Sequence, residues 1–319
     1  MARYLDPKAD LTFKKIFGEH PQLVMSLLNA LLPLPQGQEI NDIEYMSPER
    51  VPQTSVGKNS IVDVFCKAKD GRQFIVEMQM YWSTNFKDRV LFNSAKVYVD
   101  QLKSGMNFTD LRPVYSLNLV NDVFENDVPD FIHSYHVVHE KHTKKVIEGL
   151  HLVFVELPKF KPQTIAERKM AVLWLRFLTE INDTTEVVPQ ELLDNDDIRQ
   201  AVELVRESAF TRAQLMGYDL FWDAVRVDRE KATEAERRYK AGKAEGIKEG
   251  KAEGIKEGIK KGKAEDIKEG KAEGIKEGIK EGIKEGALAT ARKLKAMNVM
   301  TIEQIAEATG LTAADIAAL

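Results

Sequence analysis

Cysteine is nearly absent from this chain, and long apolar runs are missing altogether. Among its 319 residues there is one cysteine, Cys66, so no internal disulfide can form. That composition is typical of a reducing compartment. No apolar run approaches the roughly 18 residues that a membrane helix needs, and the N-terminus lacks the apolar core of a signal peptide. We therefore expect a soluble, cytoplasmic protein without a membrane partner.

A strong excess of charge of one sign is also missing. The chain has 46 basic and 50 acidic residues, a net charge of −4. The excess of acid lies in the first 241 residues, because the remainder is nearly balanced. If that part binds nucleic acid, it must use a local basic patch, since its total charge opposes binding.

Helix and strand patterns alternate along the first 160 residues. Apolar residues at three- and four-residue spacing predict helices, and short continuous apolar runs predict strands. The pattern predicts a helix at 10–32 that is broken near Gly18 and Pro21, a strand at 39–48 and a hairpin at 61–80. A helix at 86–102 and three strands at 113–120, 131–139 and 150–157 follow. Helical patterns follow from residue 164 to 239. We therefore predict an α/β core with a mixed sheet at residues 1–160 and a helical extension at 161–241.

Two acidic residues stand in the otherwise apolar strands of the predicted hairpin. Asp63 lies in "IVDVF" and Glu77 in "FIVEMQM", runs typical of strands covered on both faces, where a carboxylate needs a partner. With a two-residue Asp70-Gly71 turn, the two acids point to opposite faces. With a three-residue loop at 69–71 and a left-handed Gly71, Asp63 lies opposite Glu77.

The three-residue loop would create a metal site. Cross-strand neighbours have Cβ atoms about 5 Å apart, and two carboxylates at that separation repel each other unless a proton or a cation intervenes. A hard divalent cation suits the pair. Gln79 lies one step along the same face, where it can orient water or phosphate. The alternative is an amphipathic hairpin whose acids simply face solvent.

The motif resembles a known nuclease signature. An Asp on one strand followed by Glu-x-Lys on the next is the metal-binding pattern of the PD-(D/E)XK nucleases, and here it reads Asp63, then Glu77-Met78-Gln79, with Gln in the Lys position. The segments "DLTFKKIFGEHPQLVMSLLNALLP", "RVLFNSAKVYVDQL" and "FVELPKF" resemble the Rpn family of recombination-promoting nucleases and putative transposases. This resemblance covers roughly residues 5–240, and the tail is also similar to that of family members.

The resemblance implies a restriction-endonuclease-like core and a DNA endonuclease that depends on Mg²⁺ or Mn²⁺ and acts in recombination or on mobile DNA. Asp63, Glu77 and the Met78 backbone carbonyl would hold the metal. Gln79 would be the third catalytic residue and would position the water, because it cannot carry the charge of a lysine. The alternative is a catalytically inactive relative that binds DNA or associates with itself.

Accessory residues come from the first helix and from the helix after the hairpin. The resemblance makes Asp10 and Glu19 candidates for an additional acid, and Lys14 could approach a phosphate. A polar helix face next to the hairpin is predicted from residues at helical spacing, and it would meet either DNA or solvent. These residues are Arg89, Asn93, Lys96 and Lys103.

Most of the 19 glycines belong to one repeat in the tail. From residue 242 to 286, glycine recurs every fourth residue, with Asp266 in one of its places. Each glycine costs a helix about 1 kcal/mol relative to alanine, which favours a marginal helix or a linker. Alternatively, a glycine ridge permits close helix packing and would make a homo-oligomer.

The last part of the chain, residues 287–319, regains ordinary helix chemistry. Thr301 and Thr312 can cap two short helices separated by Gly310. This spacing is that of a helix-turn-helix, and a packed helical hairpin explains it equally well.

Overall fold

Six short apolar segments form one mixed sheet in the N-terminal part of the chain. The structure, a computed structural model, describes residues 3–50, 60–83, 85–162, 170–261 and 269–319. Contacts divide the chain into two units, Met1–Val225 and Arg226–Leu319. The strands of the sheet are β1 Ile43–Tyr45, β4 Val64–Ala68, β5 Gln73–Gln79, β6 Val114–Val120, β7 Ile132–His139 and β8 His142–Glu156. Two further strands, β2 Glu49–Arg50 and β3 Ser60–Ile61, pair with each other.

The sheet follows the order β1-β4-β5-β6-β8-β7. Its central strands β5, β6 and β8 are parallel, and the outer pairs are antiparallel. All seven residues of β6 are buried, as expected for a parallel strand covered on both faces. The predicted α/β core with a mixed sheet is therefore confirmed.

Helices cover both faces of this sheet. They are α1 Asp10–Phe17, α2 Pro21–Leu31, α3 Phe86–Val99, α4 Met170–Glu180, α5 Gln190–Leu193 and α6 Asp196–Leu204. One face of the hairpin, with Cys66 and Phe74, packs into a core shared with α1, α2 and α4. The other face carries Phe65 and Ile75 against Val97 of α3. Because residues alternate along β5, Glu77 belongs to the same face as Ile75, where Asn93 of α3 contacts it.

The strand predicted at residues 150–157 is longer than its apolar pattern indicated. β8 begins at His142, and its first half pairs with β7 alone, before the point where β6 begins to pair with β8 at Val114 and Leu150. Most side chains in this extension are exposed, so no apolar run marks it in the sequence. In the helical region predicted from residue 164 onward, positions 164–169 lie outside the described residues.

The glycine repeat of the second unit is helical where it is described. Two long helices, α7 Arg212–Lys261 and α8 Glu269–Met297, carry the repeat. A Cβ atom added at Gly250 would lie 2.3 Å from the carbonyl carbon of Gly282, and the pairs 246/286 and 254/278 are similarly close. Backbone contacts this tight require glycine at both positions. The glycines of α7 therefore pack against those of α8 in the same chain. Self-association through the repeat stays a prediction.

The chain ends in two short helices that pack on α8. These are α9 Ile302–Thr309 and α10 Ala313–Ala317, with capping boxes at Thr301 and Thr312 and a left-handed Gly310 between them. Ile305 and Ile316 are buried against Leu294 of α8, as in a packed helical hairpin. None of the helices in the described ranges is long and apolar enough to cross a bilayer.

Candidate active site

The turn between β4 and β5 sets the register of the two acids. Gly71 has a left-handed φ of 90°. Ala68 pairs with Arg72, since the Ala68 N–H donates to the Arg72 carbonyl at 2.9 Å. The ladder continues through the pairs Phe65–Ile75 and Val64–Val76. The chain therefore forms the three-residue loop, and the ladder ends at Val64–Val76, one step before Asp63 and Glu77.

Asp63 stands just outside β4, where the strand is interrupted. Its Oδ2 accepts a hydrogen bond from the Met78 backbone N–H at 2.8 Å, in place of a strand partner. The N–H and C=O of one strand residue point to the same side, so the Met78 carbonyl also faces this gap beside β5. Asp63, Glu77 and the Met78 carbonyl thus converge at one end of the hairpin.

Glu77 is buried without a cationic partner in direct contact within the described residues. It is 7% exposed, and Asn93 of α3 donates to its Oε1 at 3.2 Å. Burial and the nearby charge of Asp63 raise the pKa of Glu77 to about 7, against the opposing effects of Arg89 and Asn93. Burial also raises the pKa of Asp63, although the Met78 N–H and Lys14 oppose it. A bound cation would relieve both costs.

Gln79 is held at the end of β5 by two hydrogen bonds. Its Nε2 donates to the Tyr81 carbonyl at 2.7 Å, and its Oε1 accepts from Arg89 Nη2 at 2.5 Å. Helix α3 therefore presents Asn93 to Glu77 and Arg89 to Gln79. The prediction that Asn93 faces DNA or solvent is wrong. Asn93 is 5% exposed, and it contacts the buried carboxylate of Glu77.

The accessory residues predicted from the sequence take different positions. Asp10 and Lys14 of α1 form an ion pair at 2.6 Å, and the charges of both act on Asp63. Glu19 lines a cleft of about 370 Å³ together with these two residues, but its charge acts on Lys15 and Tyr45. Lys96 is half-buried on α3, three residues beyond Asn93.

The donor set fits a small hard cation. In the described part of the chain, no three His, Cys, Asp or Glu side chains are grouped to hold a metal. Mg²⁺ is often bound through only one or two carboxylates and keeps several waters. Asp63, Glu77 and the Met78 carbonyl supply such a set. The charge of Asp63 contributes to the raised pKa of Glu77, and a cation bound beside Glu77 would offset that repulsion.

Comparison with known proteins gives one result. A family model described as PD-(D/E)XK nuclease family transposase matches residues 7–235. No curated protein and no solved structure matches the chain. PD-(D/E)XK nucleases generally use divalent metals, in agreement with the donor set described above. The matched region spans α1, the hairpin and α3, and from it we conclude that this chain belongs to the PD-(D/E)XK nuclease family transposases.

Proposed function

We propose that the protein is a divalent-metal-dependent DNA endonuclease of the Rpn type, which hydrolyses phosphodiester bonds in recombination or in the movement of mobile DNA. The observation that carries this proposal is the contact of Asp63 with the Met78 N–H beside the buried Glu77, which brings two carboxylates to one end of the hairpin. Family membership supports the reaction class.

Three groups would hold Mg²⁺ or Mn²⁺, namely the carboxylates of Asp63 and Glu77 and the carbonyl of Met78. When bound, the ion would polarise the scissile phosphate and lower the pKa of a water molecule. The Met78 N–H anchors one oxygen of Asp63, and Asn93 anchors one oxygen of Glu77. These contacts orient both carboxylates before a ligand arrives, which lowers the cost of assembling the site.

Gln79 would position the attacking water. In the reaction, the water oxygen bonds to phosphorus and the bond from phosphorus to the leaving ester oxygen breaks. Because an amide cannot accept a proton at neutral pH, the proton of the water passes to solvent, and the leaving oxygen takes one from solvent. The hydrogen bonds from Arg89 and to Tyr81 fix the orientation of this amide.

Plasmid cleavage tests the proposal. Supercoiled plasmid is incubated with Mg²⁺ or Mn²⁺, against EDTA, for the wild type, Asp63→Asn and Glu77→Gln. We expect metal-dependent nicking that falls by at least about 100-fold in both variants. Glu44→Gln removes an exposed acid from β1 and serves as the matched control, with unchanged activity expected. Equal cleavage by Asp63→Asn and wild type would refute the site.

A second candidate is a catalytically inactive relative that binds DNA or associates with itself. The observation that favours it is Gln79, a neutral residue where the motif usually has a positive charge. It predicts no cleavage with either metal and DNA binding that is indifferent to EDTA. Metal-dependent cleavage by the wild type excludes it.

We also propose a separate role for each of the four regions of the sequence. We assign the nuclease core to residues 1–160, a helical extension to 161–241, and self-association to the repeat at 242–286, followed by the helical end at 287–319. Truncation after Lys240 should then give a monomer in sedimentation velocity, while the full chain sediments as an oligomer. Identical sedimentation states for the two proteins would contradict this role of the repeat.

A further inference from the structure

We propose that Arg89 supplies, from helix α3, the positive charge that a lysine in the Gln79 position would otherwise bring to the scissile phosphate. This inference rests on the proposed nuclease function. It makes Arg89 a catalytic residue that contacts the substrate phosphate, and it accounts for a neutral side chain at the third position of the motif.

The first support is the contact between Arg89 and Gln79. Arg89 Nη2 lies 2.5 Å from Gln79 Oε1, so the guanidinium reaches the end of the side chain that replaces lysine. The guanidinium carbon also lies 4.8 Å from the ring centroid of Phe86, whose side chain is fully buried. A cation over an aromatic face is attracted to it, so Phe86 restricts the position of the charge.

The second support is the electrostatic environment. Within the described residues Arg89 forms no ion pair, and its hydrogen-bond partner is the neutral amide of Gln79. Lys14 of α1 differs, because its ammonium group pairs with the carboxylate of Asp10 at 2.6 Å. The exposure of Arg89 on α3 allows a phosphate to approach from solvent.

The third support is the matched spacing of strand and helix. Glu77 and Gln79 are two residues apart on β5, a separation of about 6.6 Å. Their partners Asn93 and Arg89 are four residues apart on α3, a separation of about 6 Å. The two pairs are therefore in register along two rigid elements. An arginine has five N–H donors, so one can hold Gln79 while others contact a phosphate.

A double-mutant cycle tests the role in cleavage. The variants are Arg89→Met, Gln79→Lys and the two combined, measured as kcat for plasmid nicking in Mg²⁺. We expect Arg89→Met to lose about 100-fold or more. Gln79→Lys should lower kcat of the wild type, because it removes the amide that positions the water, yet raise kcat of the Arg89→Met protein at least about tenfold, because the charge has returned. An equal effect of Gln79→Lys in both backgrounds would overturn the inference.

Gln79→Met separates a direct from an indirect role. It removes the amide contact but keeps Arg89. If Arg89 acted only by holding Gln79, Gln79→Met would cost as much as Arg89→Met. We expect a smaller loss, since the guanidinium still faces the phosphate.

DNA binding supplies a readout that does not depend on turnover. Fluorescence anisotropy of a short labelled duplex in EDTA gives the dependence of log Kd on log salt concentration. One lost phosphate contact reduces this slope by about 1, so we expect that change for Arg89→Met and none for Gln79→Met. An unchanged slope in Arg89→Met overturns the inference even if the wild type cleaves DNA. A wild type that cleaves with neither metal refutes the nuclease function instead, and the slope still decides the contact of Arg89.

Discussion

Replacing Glu77 by glutamine should stabilise the metal-free protein above neutral pH. Glu77 is buried beside a second acid, so ionising it in the folded state is costly. Glutamine has nearly the same shape and keeps an oxygen that can accept the hydrogen bond from Asn93. The substitution therefore removes the charge and leaves the packing.

The magnitude follows from the pKa of the group in the two states. The pKa of Glu77 rises from 4.5 to about 7 on folding. One pKa unit corresponds to about 1.4 kcal/mol, which gives a cost of about 3 kcal/mol once the group is ionised. The folded state binds more protons than the unfolded state between these values, so the free energy of unfolding of the wild type falls as pH rises through this range. Below pH 4.5 Glu77 is protonated in both states, so it no longer lowers the free energy of unfolding.

Urea unfolding at two pH values measures this effect. The tryptophans are Trp82, Trp174 and Trp222, so their fluorescence reports on the unit Met1–Val225 that contains the site. In EDTA, Glu77→Gln should exceed the wild type by about 3 kcal/mol at pH 8 and by less than about 1 kcal/mol at pH 5. The exposed-acid control Glu44→Gln should show the same difference from wild type at both pH values. Equal gains for Glu77→Gln at both values would refute the reasoning.

Three further outcomes can be measured. Mg²⁺ at ten times its Kd should raise the free energy of unfolding of the wild type by about 1.4 kcal/mol and leave Glu77→Gln nearly unchanged; equal stabilisation would place the ion elsewhere. Gly250→Ala should speed hydrogen exchange in α8, because its Cβ would lie 2.3 Å from Gly282, whereas Gly242→Ala makes only an ordinary contact of 3.6 Å and should not; the reverse order would contradict the glycine packing. Glu156→Gln should cost about 3 kcal/mol at pH 7 in the same fluorescence assay, because its buried carboxylate pairs with Lys159; a loss below about 1 kcal/mol would show that the pair contributes little.

Local patterns were sufficient to predict much of the fold. Apolar periodicity indicated the mixed α/β core, and the break between α1 and α2 follows from Gly18 and Pro21. The caps at Thr301 and Thr312 were also readable, since a cap depends on residues within one turn. The first half of β8 was missed, because an exposed strand pair carries no burial signal.

The sequence by itself determined which residues could form the site, and the tertiary structure decided how they meet. Asp70-Gly71 is compatible with both turns, and the strand pairing of the sheet selects the three-residue loop. The partners Asn93 and Arg89 come from a helix, and only packing of α3 on the sheet brings them to β5. The sequence likewise left open whether the glycine repeat forms a linker or a packed helix, and the contact of α8 with α7 decides for packing. In each case the deciding contact joins two different strands or helices, and local propensity carries no information about such contacts.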